Sequence, residues 1–356
     1  MSFPDFGNPE FVYAPLPPLN HPALEGQKSL MKVILKQDVL MHYPYQRFDY
    51  LVDLLREAAI DPRVKSIKIN VYRVTRDSQV LKALMSAVSN ELMARFDEEN
   101  NLYWSNRLKE NGATVLHGGQ DIKVHSKLIQ IVRMNGNKKQ LITHIGTGNF
   151  HEKTARIYGD VSLITADEKI GLEVAKVFQL LESEVPNLKR RFKELMVSPI
   201  NTRYRLVNLI KNEIVNAKKG EKAELFIKLN NLTDTSIIEW LYKASNAGVK
   251  IKMIIRGICC LVPGIPGQSE NIIVYSIVDR FLEHARIIKF HNGGTPLYFI
   301  SSADWMERNL DKRIEVTCPI HDKQLQEEID LIFDYQLKGN SKTRIIGKYQ
   351  KNKYRK

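Results

Sequence analysis

Apolar residues recur at helical spacing in RFDYLVDLLREAAI (Arg47 to Ile60), which predicts a helix that Asp61 and Pro62 end. SIKINVYRV (Ser66 to Val74) alternates instead and is rich in β-branched side chains, the pattern of a strand. Helical spacing returns from Val80 to Val88 and from Asn100 to Asn111. Two strands follow, HSKLIQIVR (His125 to Arg133) and QLITHIG (Gln140 to Gly146), with a hairpin turn in the MNGNKK between them. A helix from about Glu168 to Glu184 closes this half. The second half repeats the scheme. Helices are predicted over Arg203 to Lys218, Thr235 to Asn246 and Lys323 to Leu337, and strands over Ala223 to Leu229, Lys250 to Arg256, Ala285 to Phe290, Leu297 to Ser302 and Lys312 to Cys318. Alternating strands and helices predict two α/β domains with helices flanking the sheets. The expected division is a proline-rich, extended lead-in over 1–45, a first domain over 46–190 and a second, ending in a basic tail, over 191–356.

Charge narrows the partner. The 356 residues include 53 Lys and Arg against 40 Asp and Glu, a net +13 that suits a polyanion: nucleic acid, an anionic membrane surface or inorganic polyphosphate. Part of that excess lies in the tail KYQKNKYRK, which also reads as a solvated, disordered end. No apolar run approaches the ~20 residues of a spanning helix; Ile251 to Ile255 is strand-sized. MSFPDFGNPEF has no basic stretch followed by an apolar one, so it is not a secretory signal. Cys259, Cys260 and Cys318 offer no CxxC spacing, which argues against zinc. They read as buried small hydrophobes in a cytoplasmic protein.

One polar constellation occurs twice. His125-Ser126-Lys127 opens one strand and Gly146-Thr147-Gly148-Asn149 closes the next; His284-Ala285-Arg286 and Ser301-Ser302-Ala303-Asp304 do the same in the second half. The separations are 24 residues from His125 to Asn149 and 20 from His284 to Asp304. On a strand, residues i and i+2 share a face, so the histidine and the cation two residues on would point into one site. Two such halves would bring two histidines to one anionic substrate. That is how a phospholipase D-type site is built, and the pattern resembles a degenerate form of it.

Longer strings carry a more specific resemblance. They are YPYQRFDYLVDLLREAAIDPRV, IKINVYRVTRDS, ARFDEENNLYW, KVHSKL, HIGTGNFHEKTARIYGD, LNNLTD, RGICCLVPG, FLEHARI and ISSADWMERNLDKRIEV. In order, and from about residue 10 to the end, they resemble the C-terminal half of the polyphosphate kinase family. The resemblance implies two phospholipase D-like α/β domains related by a pseudo-repeat. It also implies reversible transfer of the ATP γ-phosphate to inorganic polyphosphate through a phosphohistidine, matched here by His125. Imidazole is a good nucleophile near neutral pH, and the rest of such a reaction is charge neutralisation and alignment.

Other positions follow residue by residue. Arg73 in NVYRV and Arg95 in MARFDEE match arginines of the family's phosphate–magnesium site. Because a guanidinium has no lone pair for magnesium, we read them as phosphate clamps beside an ion that arrives with ATP. Tyr158, Arg256 and His284 match nucleotide-contacting positions, and His284 is also a candidate to protonate or orient the leaving group. The duplicated pattern adds Lys127 as a catalytic cation, and Asn149 and Asp304 as polar groups of the nucleotide site. The family further implies ATP, ADP and polyphosphate as partners, no specific nucleic acid, peripheral membrane association and a homo-oligomer in the full-length enzyme.

Three departures stand out. The family's N-terminal and head domains are missing, so the chain is expected to be a fragment with weakened nucleotide binding or no activity of its own. Against the family pattern about eight residues, including a strand, are missing between Asn90 and Glu91, which reads either as a real and damaging deletion or as a sequence that lists only the ordered residues. The acid that a phospholipase D pattern carries five residues after the cation is replaced by Val132 and His291. That disfavours the alternative of a phosphodiesterase or nuclease. A non-catalytic polyanion-binding module is the remaining alternative.

Overall fold

The computed structural model describes residues 13–72, 74–87, 91–96, 102–117, 122–183 and 187–355. The first half runs α1 (Leu30–Ile34), β1 (Val39–Tyr43), α2 (Asp49–Ile60), β2 (Val64–Val71), α3 (Gln79–Met85), β3 (Glu91–Phe96), α4 (Leu102–Glu110), β4 (Thr114–His117), β5 (Lys123–Val124), β6 (Leu128–Asn135), β7 (Lys138–Gly146), β8 (Tyr158–Thr165) and α5 (Glu168–Glu182). The second half runs β9 (Met196–Ser198), α6 (Thr202–Lys218), β10 (Glu224–Leu229), α7 (Thr235–Asn246), β11 (Lys250–Ile255), β12 (Ile272–Ile277), β13 (Leu282–Glu283), β14 (Arg286–Phe290), β15 (Leu297–Ser301), α8 (Glu307–Asp311), β16 (Arg313–Pro319), α9 (Lys323–Lys338), β17 (Thr343–Ile346) and β18 (Lys353–Tyr354).

Local chemistry sets the boundaries. In α2 the apolar stripe Leu51, Leu54, Leu55 and Ala58 is buried, and Asp61 ends the helix in extended conformation. Asp167, Asp234 and Asp322 cap α5, α7 and α9 by accepting from the amides of Ile170, Ile237 and Leu325. The β6–β7 hairpin turns at Gly136, whose φ of 59° favours a residue without Cβ.

The two mixed sheets share one topology. The first has the order β1-β8-β7-β6-β2-β3-β4, and the second contains β9-β16-β15-β14-β10-β11-β12 in the same succession. In both, the central strand (β2 or β10) pairs in parallel on one side and antiparallel on the other. The halves also exchange strands. β5 leaves the first half to pair in parallel with β16, and β13 leaves the second half to pair in parallel with β8. One apolar cluster joins Val124, Leu128, Val161 and Phe178 to Ala285, Ile287, Ile314 and Phe333 across this junction.

Several elements differ from expectation. The lead-in holds α1 and β1, because Val39, Leu40, Met41 and Tyr43 are buried against β8. The strand expected to be missing before ARFDEE is supplied by Glu91–Phe96 itself, parallel to β2. Residues 88–90, beside that gap, lie outside the described residues, as do Arg73 and Asn100. His125 to Lys127 do not open β6, which starts at Leu128. The amides of His125 and Ser126 donate instead to the Ile314 carbonyl of β16, at 2.9 and 3.1 Å. The basic tail carries β17 and β18, which extend the second sheet beyond β12.

Burial holds three histidines neutral: His144 is pushed down to about 3, and His42 and His125 to about 4. In the unfolded chain they take up protons below about 6.5. The unfolded state therefore binds more protons than the native one between about pH 6.5 and 4, and stability falls as pH falls through that window. Urea unfolding across this range is expected to show a declining midpoint. His144→Gln should make the decline shallower.

Candidate active site

Each histidine stands at the point where its half crosses to the other. His125 follows β5, and its amide is held by Ile314 of β16; His284 follows β13, and its amide and that of Ala285 donate to Gly159 of β8 at 3.0 and 2.7 Å. A carboxylate of the opposite half then orients each ring. His125 Nδ1 lies 3.0 Å from Glu315 Oε2, and His284 Nδ1 lies 2.8 and 2.9 Å from the two oxygens of Asp160. Asp160 and Glu315 occupy equivalent places, the third position of β8 and of β16.

The loops after β7 and β15 hold those carboxylates. Thr147 Oγ1 donates to Asp160 Oδ1 at 2.6 Å, and its Oγ1 accepts from the Val161 amide at 3.1 Å. Ser302 repeats this, donating to Glu315 and accepting from the Val316 amide at 3.1 Å. Asn309 adds a donor to Glu315 at 2.6 Å. Gly148 must be glycine here, because a Cβ would lie 2.1 Å from Asp160 Oδ2.

Cations line the same place. Lys127 is buried with its ammonium on the His125 carbonyl, and burial pulls it down to about 7. Arg286 is buried against Asp304, with both donor–acceptor distances 3.3 Å, and Nη1 reaches His284 Nε2 at 3.2 Å. Lys127 and Arg286 each lower the affinity of both histidines for a proton, so the two rings share one electrostatic environment. Burial alone would raise Asp160 and Glu315; the facing histidine together with Thr147 and Arg286 for Asp160, and with Lys127 and Ser302 for Glu315, outweighs it and holds both carboxyls below their usual range.

The remaining candidates fall at different distances from this centre. The Tyr158 ring lies 5.2 Å from that of His284. Arg256, just past β11, donates to Asn230 Oδ1 at 3.0 Å and to the Glu283 carbonyl at 2.7 Å. Asp304 is engaged by Arg286 and by the amides of Asn230 and Asn231 at 2.8 and 3.3 Å. Its counterpart Asn149 has a buried Oδ1 without a hydrogen-bond partner among the described residues. Arg95 sits on β3 in register with Asn70 and donates to the Leu181 carbonyl at the end of α5. Tyr72, edge-on to the His125 ring at 5.3 Å, was not singled out from sequence. Neither were Asp160, Glu315, Thr147 and Ser302 in these roles. The available signal for the two acids was a lone carboxylate at the third position of each of two strands, YGDVSLIT and RIEVTCP.

Among the described residues no group of three His, Cys, Asp or Glu could hold a metal ion. Asp160, Glu315 and Asp304 are each committed to a histidine or an arginine, so this centre does not form a magnesium cage. Among the same residues no helix is long and apolar enough to cross a membrane.

Comparison with known proteins gives a consistent picture. Residues 29–187 match the family described as polyphosphate kinase C-terminal domain 1, and residues 195–356 match its C-terminal domain 2. A polyphosphate kinase of Vibrio parahaemolyticus is 50% identical over 362 aligned positions, covering 99% of this chain and 52% of the relative. The chain thus spans about half the length of the curated relatives it matches. The crystal structure of a Porphyromonas gingivalis polyphosphate kinase superposes with a TM-score of 0.93 at 40% identity, covering 99% of this chain and 55% of that one. A phosphatidylserine synthase of Haemophilus influenzae superposes at 0.57 with 10% identity, covering 89% of each chain, and shares the fold alone. The two mixed, helix-flanked sheets are of the phospholipase D-like kind, as the sequence predicted.

Gly148→Ala is expected to displace the Asp160 carboxylate and unfix the His284 ring. Overpacking of this kind costs about 1–3 kcal/mol. Urea unfolding measures that loss, and imidazole nitrogen shifts should report a mixture of His284 tautomers.

Proposed function

The chain belongs to the polyphosphate kinase family, carrying its C-terminal domains 1 and 2, and on that premise we propose that it transfers the γ-phosphate of Mg2+–ATP reversibly to polyphosphate through a phosphohistidine at His125. The observation that carries the choice of His125 is the state of the two Nε2 atoms. With Nδ1 facing Glu315 and Nδ1 of His284 facing Asp160, the ring protons sit on Nδ1 and both Nε2 atoms bear lone pairs. Arg286 occupies that of His284 at 3.2 Å. His125 Nε2 makes no hydrogen bond among the described residues; the side chains are equally accessible, at 14% and 15%, so the open lone pair and not exposure separates the two. A neutral ring with a free, reachable lone pair is the better nucleophile.

The step then balances simply. His125 Nε2 attacks the γ-phosphorus, an N–P bond forms, and the bond to the β–γ bridging oxygen breaks to release ADP. A terminal oxygen of polyphosphate attacks the same phosphorus in the second step. The N–P bond breaks and the chain is one phosphate longer. Glu315 fixes the tautomer and stabilises positive charge on the ring. Lys127 and Arg286 surround the phosphoryl group as donors, and His284, held between Asp160 and Arg286, orients the leaving phosphate. Tyr158 and Arg256 contact the nucleotide, with Asn149 offering its unpartnered oxygen. Asp304 acts through Arg286, as a positioning residue. Arg73 and Arg95 clamp phosphates beside the magnesium, which enters as part of the substrate because this centre's carboxylates are already engaged. A cytoplasmic location, peripheral membrane contact and homo-oligomerisation of the full-length protein rest on the family resemblance alone.

Incubating the complete protein with γ-labelled ATP is expected to leave an acid-labile label at His125, and His125→Ala is expected to remove it. Uptake without that residue, or none by the parent protein, would overturn the assignment. Glu315→Gln should slow labelling by roughly 10–100-fold, as loss of an orienting partner does at comparable imidazole sites. Because burial holds His125 neutral to about 4, the labelling rate should show no loss as pH falls from 6.5 towards 5, and the inflection it does show should lie near 7 and on the alkaline side, where Lys127 gives up its charge. In Asp304→Asn, Arg286 loses its anchor and His284 Nε2 becomes available. Peptide mapping should then find part of the label on His284.

A further inference from the structure

The C-terminal hairpin is strongly cationic and built into the second sheet. Residues 340–356 carry seven Lys and Arg and no Asp or Glu. β17 pairs antiparallel with β12, and β18 pairs antiparallel with β17. Lysines on an edge strand also discourage pairing with other chains. Three observations point beyond that.

The first is register. Ile254 of β11 pairs with Tyr275 of β12, so Arg256 falls level with Ile277; Ile277 pairs with Thr343, and the Arg355 amide donates to the Thr343 carbonyl at 2.8 Å. Register partners share a face, so Arg256 and Arg355 lie in one row on one face of the sheet, at the ends of β11 and β12. Three strand spacings separate them, about 14 Å. Arg256 is in turn tied through Asn230 to the His284 carbonyl, at 3.0 and 3.1 Å. The row therefore starts at the reaction centre and leads away from it.

The second is what the cations face. Arg344 lies over Tyr354 at 4.7 Å, Arg355 over Tyr275 at 5.1 Å, and Lys348 and Lys351 over Tyr349 at 4.8 and 5.4 Å. Their neighbours are rings, which leave the positive charge unneutralised. The third is Arg355 itself, whose Nη1 is buried without a hydrogen-bond partner among the described residues. A buried guanidinium nitrogen left open in this way calls for an acceptor.

We propose that this hairpin, with Arg355 as its inner end, is a docking track for the body of the polyphosphate chain, continuing the row that begins at Arg256. The inference rests on the functional reading above for the identity of the ligand. Ile277 and Thr343, both buried, occupy the two places between Arg256 and Arg355, so the row carries a cation at each end; a linear polymer with a negative charge on every unit fits the exposed cations of the hairpin beyond Arg355, and the rings keep the flexible side chains extended. ATP has no such body, so the track acts on long acceptors and not on the phosphorylation of His125.

The test uses the complete protein with Lys348, Lys351 and Lys353, all exposed, changed together to Gln, and Arg355→Gln as a second variant. Binding of long-chain polyphosphate is measured against salt, beside binding of tripolyphosphate and ATP labelling of His125. The expected result is at least a tenfold loss of long-chain affinity and a salt slope reduced by about two for the triple variant. Tripolyphosphate binding and His125 labelling are expected to stay at parental levels. Unchanged long-chain affinity overturns the proposal. So does an equal loss for tripolyphosphate, or a loss seen only with single-stranded DNA or anionic vesicles. Failure of the parent to label His125 would instead sink the functional reading and leave the polyphosphate binding result to stand by itself.

Discussion

Everything in this centre depends on a carboxylate of one half accepting a hydrogen bond from the histidine of the other. Glu315 serves His125 and Asp160 serves His284. A hydrogen bond to a charged group contributes about 1.5–3 kcal/mol in such settings. More important is what each bond requires. A buried carboxylate without donors is strongly unfavourable, so Thr147, Ser302 and Asn309 must also be in place. Thr147 and Ser302 sit on the loops after β7 and β15 and Asn309 on α8, which fixes the ends of both sheets relative to each other.

Symmetry of the backbone contrasts with asymmetry of the chemistry. Lys127 and Arg286, Asn149 and Asp304, Gly148 and Ala303 are equivalent in place and different in kind. On the second side Arg286 is neutralised by Asp304 and rests on His284. On the first side the buried ammonium of Lys127 has, among the described residues, only the His125 carbonyl as hydrogen-bond acceptor. The first side thus keeps the greater unmet demand for an anion. A duplicated frame with one side quenched and the other left open gives each histidine a distinct part.

Most of the repeating elements were legible because they bury a regular stripe: α2, α5, α7 and α9 by helical spacing, β6, β7, β10 and β11 by β-branched runs. Part of what escaped was structure made by pairing with the opposite half; β1 and β12 escaped although they pair within their own halves. β5 and β13 have two residues each and no periodicity; β1 was hidden behind a proline-rich approach. β8 was missed although SLIT is strand-like, because its first residues are Tyr158, Gly159 and Asp160. The same acid that disguised the strand is the partner of His284. His125 and His284 were found by the duplicated motif and the family strings. Their orienting acids lie 190 and 124 residues away in sequence, where no local spacing rule reaches.

The exchanged strands carry a consequence for how the protein is made. A ribosome delivers the first half with β8 still lacking β13, and with the His125 amide lacking the Ile314 carbonyl that anchors it. Glu315 emerges later still. The His125 ring therefore cannot be set in the tautomer that faces Glu315 while the nascent chain is short, however well the first sheet has formed. Synthesis itself thus withholds a fixed orientation from the His125 ring until the second half has arrived to supply its partner.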